Sequence, residues 1–191
     1  MRRPDPPLVD DVAGIRLRPW TTARGDVDAL VAAWADPAIA AANGVPEDAS
    51  AASATRWLAA DGARLTAGRC VDLVVAPLDP LDPLDATRHD RTQADDSLPV
   101  LGEVGLRNID RVHRRAEISW WTAAAERRRG VATAATRLLT AWALDPAGGG
   151  LVQVWARIAP TNVASARVAA SAGLEHRGTA DGTGIWTRTR P

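Results

Sequence analysis

Apolar and polar positions alternate or recur along most of this chain with a readable period. Ile15 and Leu17 alternate with Arg16 and Arg18, as a strand with one buried face would, and Pro19-Trp20 ends the run. From Asp26 to Ala35 the apolar residues Val27, Leu30, Val31 and Trp34 fall on one helical stripe that Asp36-Pro37 stops. A second helix is expected over Ser50–Leu65, with Trp57, Leu58 and Leu65 as its heaviest apolar groups, followed by a strand at Cys70–Ala76. Val100–Leu106 and Ala116–Trp121 read as consecutive strands joined through Asn108–Arg115, an antiparallel hairpin in the simplest topology. The clearest pattern runs from Val131 to Leu144. There Val131, Ala134, Ala135, Leu138, Leu139 and Trp142 follow the i, i+3, i+4, i+7 spacing of an amphipathic helix. Asp145-Pro146 and three glycines terminate it. Leu151–Ile158 is a further strand, Thr161 or Asn162 caps another helix, Gly173 stops that helix, and Gly184–Arg188 forms a last short strand.

Two segments break the pattern. Residues 1–13 are rich in Pro and Asp and are expected to form a flexible arm. Residues 77–98 begin with Pro-Leu-Asp three times in succession. Proline at triplet spacing favours extended polyproline-II chain and cannot serve a sheet ladder, so a loop insertion is expected there. The remainder, 14–191, reads as one α/β domain.

Composition narrows the classes. At 191 residues the chain can bury a substantial core, and 46% hydrophobic with 24% charged residues is ordinary for a globular protein. Lys+Arg 23 against Asp+Glu 23 leaves no global basic field for nucleic acid or an anionic membrane. Every one of those cations is Arg. Phe and Tyr are absent, so eight Trp supply all the aromatic packing. The single cysteine, Cys70, excludes an internal disulfide or a cysteine zinc cluster, and it precedes an apolar run as a small core residue would. His89, His113 and His176 show no metal-ligand spacing. No apolar run reaches membrane-spanning length, and the start carries no export signal, so a cytoplasmic location is expected.

The candidate chemistry lies between the hairpin and the amphipathic helix. Arg127-Arg128-Arg129-Gly130-Val131-Ala132 stands at that helix start, where backbone N–H groups point outward, the dipole adds positive charge, and Gly lets an anion approach the chain. Pro160-Thr161-Asn162-Val163-Ala164-Ser165 opens the next helix. No G-x-S-x-G and no P-loop signature occurs.

Together with Leu101–Leu106 and Arg115–Trp121, these two motifs resemble, in order and interval, the GNAT superfamily of N-acetyltransferases. The likeness is to the branch typified by the RimJ and RimL ribosomal-protein N-terminal acetyltransferases. It covers roughly residues 14–178 apart from the insertion. The resemblance implies a mixed, mostly antiparallel twisted sheet with helices on both faces and a V-shaped splay between its two central strands. It also implies acetyl-CoA (coenzyme A) as cosubstrate. Amides around Arg127, Arg128, Arg129, Gly130, Val131, Ala132 and Thr133 would cradle the pyrophosphate. Backbone near Trp120, Trp121 and Thr122 would hold pantetheine, Asn162 would bond its amide, and Ser165 would lie near the sulfur. Glu117 is the candidate general base, on the strand where many relatives carry a catalytic Glu, although pairing with an arginine such as Arg115 is an alternative role. Glu103 is a further candidate of the same kind. Many relatives use a Tyr to protonate the leaving thiolate. This chain has none, which leaves Ser165 or water. Arg128 stands where many relatives have Gly, and Ala134 where that branch often has Glu. The implied acceptor is a primary amine, with a protein N-terminus first and a polyamine- or aminoglycoside-type small molecule as the alternative. A non-catalytic acyl-CoA-binding module is the rival class, and a monomer or homodimer is expected.

Overall fold

A computed structural model describes residues 1–78 and 99–191. Eight strands form one sheet: β1 Leu8–Asp10, β2 Ile15–Pro19, β3 Cys70–Pro77, β4 Gly102–Asp110, β5 Arg115–Thr122, β6 Gln153–Ile158, β7 Glu175–Ala180 and β8 Thr183–Thr189. Their spatial order is β1-β2-β3-β4-β5-β6-β8-β7. Every neighbouring pair is antiparallel except β5 and β6, which run parallel. The helices are α1 Arg24–Ala35, α2 Pro37–Ala40, α3 Ala51–Ala59, α4 Asp61–Thr66, α5 Val131–Leu144 and α6 Val163–Ser171, with a 3-10 turn at Ala124–Glu126.

Alternation along the strands divides the core into two layers. Val71, Leu73 and Val75 of β3 join Val104, Leu106, Ala116 and Ile118 under α5 and α6. Val74 and Ala76 face the other way, with Trp121, and meet Trp20, just after β2, and Leu30, Ile39, Ala54 and Leu58 from α1–α3. Helices thus cover both faces, as the resemblance implied. A buried ion pair fixes α1 to β2: the Arg18 guanidinium donates to both oxygens of Asp26 at 2.6 and 2.8 Å. Its geometry is bidentate, which lets a buried pair offset part of its desolvation cost.

The structure departs from the sequence reading in several places. Leu8–Asp10, inside the expected flexible arm, pairs with β2 in register Leu8↔Leu17, and Arg3 forms an ion pair with buried Asp61. The helix expected over Ser50–Leu65 is two helices. The chain turns at Ala60, and Asp61 is drawn inward to Arg3 and Arg64. Asp36-Pro37 ends α1 and also starts α2, because the Asp36 carboxylate caps the Ala38 N–H at 2.9 Å with Pro at the first helical position. β4 begins two residues later than expected and extends to Asp110. β7 was not anticipated, since all six of its residues are exposed and it shows no alternation. Of the expected insertion 77–98, Pro77 closes β3 and the Leu78 N–H donates to Gly14 at 2.8 Å; residues 79–98 lie outside the described residues. Among the described residues no helix is long and apolar enough to cross a membrane.

Candidate active site

The site begins where the sheet comes apart. β5 and β6 pair only over Arg115–Glu117 and Gln153–Trp155. Beyond them Ile118–Thr122 and Ala156–Ile158 diverge, and the opened edge becomes the floor of a cleft. Two adjoining cavities of about 500 and 700 Å³ occupy it and share Ala38, Ala42, Asn43, Trp120, Asn162 and Ser165 in their walls.

The smaller cavity ends at the start of α5. Arg128 has φ 62° and Gly130 φ 83°. Left-handed residues in this turn swing successive N–H groups toward one side, the geometry of an anion nest. Gly130 is the residue before the first turn of α5 and offers no side-chain cap, so the leading amides of the helix face the cavity without one. A Cβ at Gly130 would meet nothing within 4 Å; the approach to the backbone is open. Arg128, which stands where relatives often carry Gly, adopts the left-handed conformation all the same, at the modest strain a non-glycine residue bears there.

Most of the residues expected at the cofactor meet in this cavity. Thr122, Arg127, Arg128 and Gly130 line it, as do Val131, Ala132 and Thr133; Trp120, Trp121, Asn162 and Ser165 form the opposite side. Arg129 does not. Its side chain turns outward to Glu126 at 2.6 Å and is 66% exposed. Arg127 points back across the turn, donating to Asp36 at 2.5 Å and to the Thr122 carbonyl at 3.3 Å. Partial desolvation pushes the Asp36 carboxyl up, but the Ala38 amide and Arg127 together outweigh it and hold the group below its ordinary value. Trp121 is largely buried and packs on Trp20 with ring centroids 6.3 Å apart. Asn162 caps α6, its Oδ1 accepting from the Ser165 N–H at 3.0 Å. Its Nδ2 is left to donate.

Glu117 lines the larger cavity and not the smaller. Its Oε2 accepts from Asn108 Nδ2 at 2.6 Å and its Oε1 from Arg157 Nε at 3.2 Å. Arg115, the partner the sequence suggested, is occupied by Asp110 at 3.3 Å. The φ of 48° at Asn108, beside a register irregularity in β4, accompanies the turn of its amide toward Glu117. A carboxylate has about four lone-pair sites. Two are used here, so Glu117 retains room to take a proton.

Glu103 occupies a different position. It is buried, accepts from Trp20 Nε1 at 3.1 Å and from Arg107 at 3.0 Å, and borders a third cavity of about 70 Å³ with Trp34 and Trp57, which shares Asn43, Gly44 and Arg107 with the larger one. Burial foremost, then the Asp72 charge, pushes its carboxyl up to about 7 against the pull of Arg107. Cys70 is also buried, and burial lifts its thiol to about 11. Such a thiol is unreactive, as a structural cysteine should be.

The sequence reading did not identify Asn43 and Gly44, which follow α2 and wall the larger cavity, nor Asn108 and Arg157, which hold Glu117. The only local signal was Asp36-Pro37, which positions α2.

These features coincide with the comparisons to known proteins. A model of the acetyltransferase (GNAT) domain matches residues 15–175, and the chain belongs to that family of acetyltransferases. Its fold is shared by a ribosomal-protein-S5-alanine acetyltransferase from Vibrio fischeri, with TM-score 0.73, 13% identity and 97% of each chain covered. RimJ of Mycobacterium smegmatis, solved with a CoA disulfide, gives TM-score 0.72 and 19% identity over 96% of this chain and 85% of its own. The microcin C7 self-immunity acetyltransferase MccE, solved with acetyl-CoA and AMP, gives TM-score 0.70 and 14% identity over 92% of each chain. No functionally curated protein resembles the sequence closely enough to count as a match.

Proposed function

We propose that this protein transfers acetyl from acetyl-CoA to a primary amine, and that the acceptor is a protein or peptide N-terminus. The observation that carries the reading is the continuity of the two cavities. An anion nest closes one, Glu117 stands in the other, and Ser165 and Asn162 border both. The nest fits a pyrophosphate because its amides are uncapped and Gly130 leaves the approach clear.

Bound acetyl-CoA supplies an acetyl thioester at the junction of the cavities. Amides of Val131, Ala132 and Thr133 hold the diphosphate, Arg128 adds charge at the same corner, and Asn162 Nδ2 donates to the pantetheine arm. The acceptor amine enters the larger cavity and must be neutral to attack. An α-amino group has an ordinary pKa of about 7.7–8.0, so much of it is already neutral near pH 7.5, whereas a lysine-like amine at about 10.4 is not. As the N–C bond forms and the C–S bond breaks, Glu117 takes the proton the amine loses, and Ser165, which borders both cavities, relays a proton from water to the departing sulfur. The products are an N-acetyl amide and CoA thiol.

The lining favours an N-terminus over a polyamine. A polycation requires acidic groups, yet Glu117 is the one carboxylate lining the larger cavity among the described residues, and Arg157 already matches its charge. Calorimetric titration with acetyl-CoA, followed by thiol-release assays with Ser- and Ala-initiated peptides and with spermidine, tests the reading. Binding at or below about micromolar Kd with transfer to peptides supports it. Transfer to spermidine alone overturns the acceptor, and a folded protein that does not bind acetyl-CoA overturns the whole reading.

A further inference from the structure

Arg157 is held in the wall of the acceptor cavity by only part of its guanidinium. Nε is bonded to Glu117 at 3.2 Å and the group lies 5.5 Å from the Trp155 ring centroid, while no described residue takes up its η nitrogens. The side chain remains 56% exposed. The other arginine of the cavity, Arg107, is committed to Glu103 at 3.0 Å and to Asp72 at 3.6 Å. Ser119 lies two residues beyond Glu117 on the same face of β5. It borders the cavity too, and its hydroxyl oxygen is buried without a partner. The cavity therefore presents unsatisfied donor capacity, and its one carboxylate among the described residues is already matched.

We propose that the acceptor carries a second functional group, an anion close to its amine, and that the η edge of Arg157 receives it, with Ser119 as a neighbouring donor. This rests on the acetyl-transfer reading above and specifies its acceptor: a primary amine with a carboxylate or phosphate a few bonds away. Two features favour an anion there. A guanidinium with a free edge binds carboxylate or phosphate oxygens in a planar fork. Moreover, when Glu117 takes the amine proton it loses its charge, and Arg157 loses its counter-charge at that moment. An anion on the acceptor replaces it, so the group aids the chemical step as well as binding. The cavity wall distinguishes such a molecule from a neutral or polycationic amine, for which a loose guanidinium is respectively indifferent or repulsive.

The test compares three peptides identical except at the second residue, Asp, Asn or Lys, together with a small amine bearing a phosphate and its dephosphorylated counterpart. Acetylation is followed by thiol release at low and high salt. The expected order of kcat/KM is Asp over Asn over Lys, with about five- to tenfold between the first two and the gap narrowing as salt rises. If the small phosphorylated amine is preferred over its counterpart by a larger factor than the Asp peptide over the Asn peptide, the anion belongs to a small molecule; the reverse assigns it to a peptide side chain. Arg157→Gln should bring the Asp/Asn ratio close to one, and Arg157→Glu should invert the preference toward Lys. Equal rates for all three peptides together with equal rates for the two small amines, or an anionic preference that survives Arg157→Glu, overturns the proposal while leaving acetyl transfer intact. If the protein binds acetyl-CoA yet turns over no acceptor, the transferase reading has failed. Calorimetry of the same peptides on the CoA-loaded protein then reads the charge preference directly, and equal affinities overturn it.

Discussion

The Arg127 guanidinium crosses from the turn before α5 to the Asp36 carboxylate at 2.5 Å, joining the anion corner to the cap of α2. Asp36 and Arg127 are far apart in sequence, yet their contact links the cofactor cavity to a wall shared with the acceptor cavity, because α2 lends Ala38 to both. Arg127→Ala is therefore expected to raise KM for acetyl-CoA and for the acceptor together, each by about three- to tenfold through loss of positioning. Steady-state kinetics with both substrates varied checks this. An increase confined to acetyl-CoA would mean Arg127 acts on the phosphates alone.

Gly130 separates charge from shape at the phosphate corner. Its φ of 83° suits Gly, and among other residues Asn and Asp tolerate that region best. A Cβ there has open space, so Asp and Asn should both be accommodated. Gly130→Asp places a carboxylate against the diphosphate and should weaken acetyl-CoA by about a hundredfold or more. Gly130→Asn, nearly the same shape, should cost only a few-fold. Calorimetric Kd values for the pair decide the matter: similar losses in both variants would place the diphosphate elsewhere.

How much of this was legible in the sequence depended on range. The helix from Val131 to Leu144 and the cap at Asn162 were readable because their signals are local, an apolar stripe in one and a side chain reaching three residues along in the other. The three consecutive arginines were not separable from sequence. The turn sends Arg127 inward to Asp36, sets Arg128 at φ 62°, and leaves the Arg129 side chain exposed, paired to Glu126 of the cavity wall. Arg157 and Asn108 went unnoticed because their bonds to Glu117 join different parts of the sheet, and no pattern around either residue announces them. Asn43 and Gly44 sit in a turn without periodicity whose role comes only from facing the cleft. β7 stayed hidden for a simpler reason: a strand exposed on both faces has no hydrophobic alternation to read.

Glu117→Gln removes the proposed proton acceptor while keeping a side chain that can still bond Arg157 and Asn108. kcat should fall by about a hundredfold or more. Acetyl-CoA affinity should stay within about twofold, since Glu117 borders the acceptor cavity and not the cofactor cavity. An unchanged kcat would reduce Glu117 to a holder of Arg157.

Glu103 should leave a signature in stability. Its carboxyl is pushed from an ordinary value of 4.5 up to about 7 in the folded protein, by burial first and by the Asp72 charge second. Between those values the native state holds a proton that the unfolded chain has released, so stability falls as pH rises through the window and levels off above it. Asp36, Asp48 and Asp110 are shifted downward, so their contributions are lost only in more acidic solution. Cys70 is raised from 9.0 to about 11 and acts only at alkaline pH. Glu103→Gln keeps an acceptor for Trp20 and Arg107 but cannot titrate. Urea unfolding at pH 5.0 and pH 7.5 should show the native protein losing stability of the order of 2 kcal/mol relative to this variant. Parallel changes in the two proteins would place the titration of Glu103 at its ordinary value. A wider gap at pH 5.0 than at pH 7.5 in favour of the variant would reverse the sign and overturn the assignment.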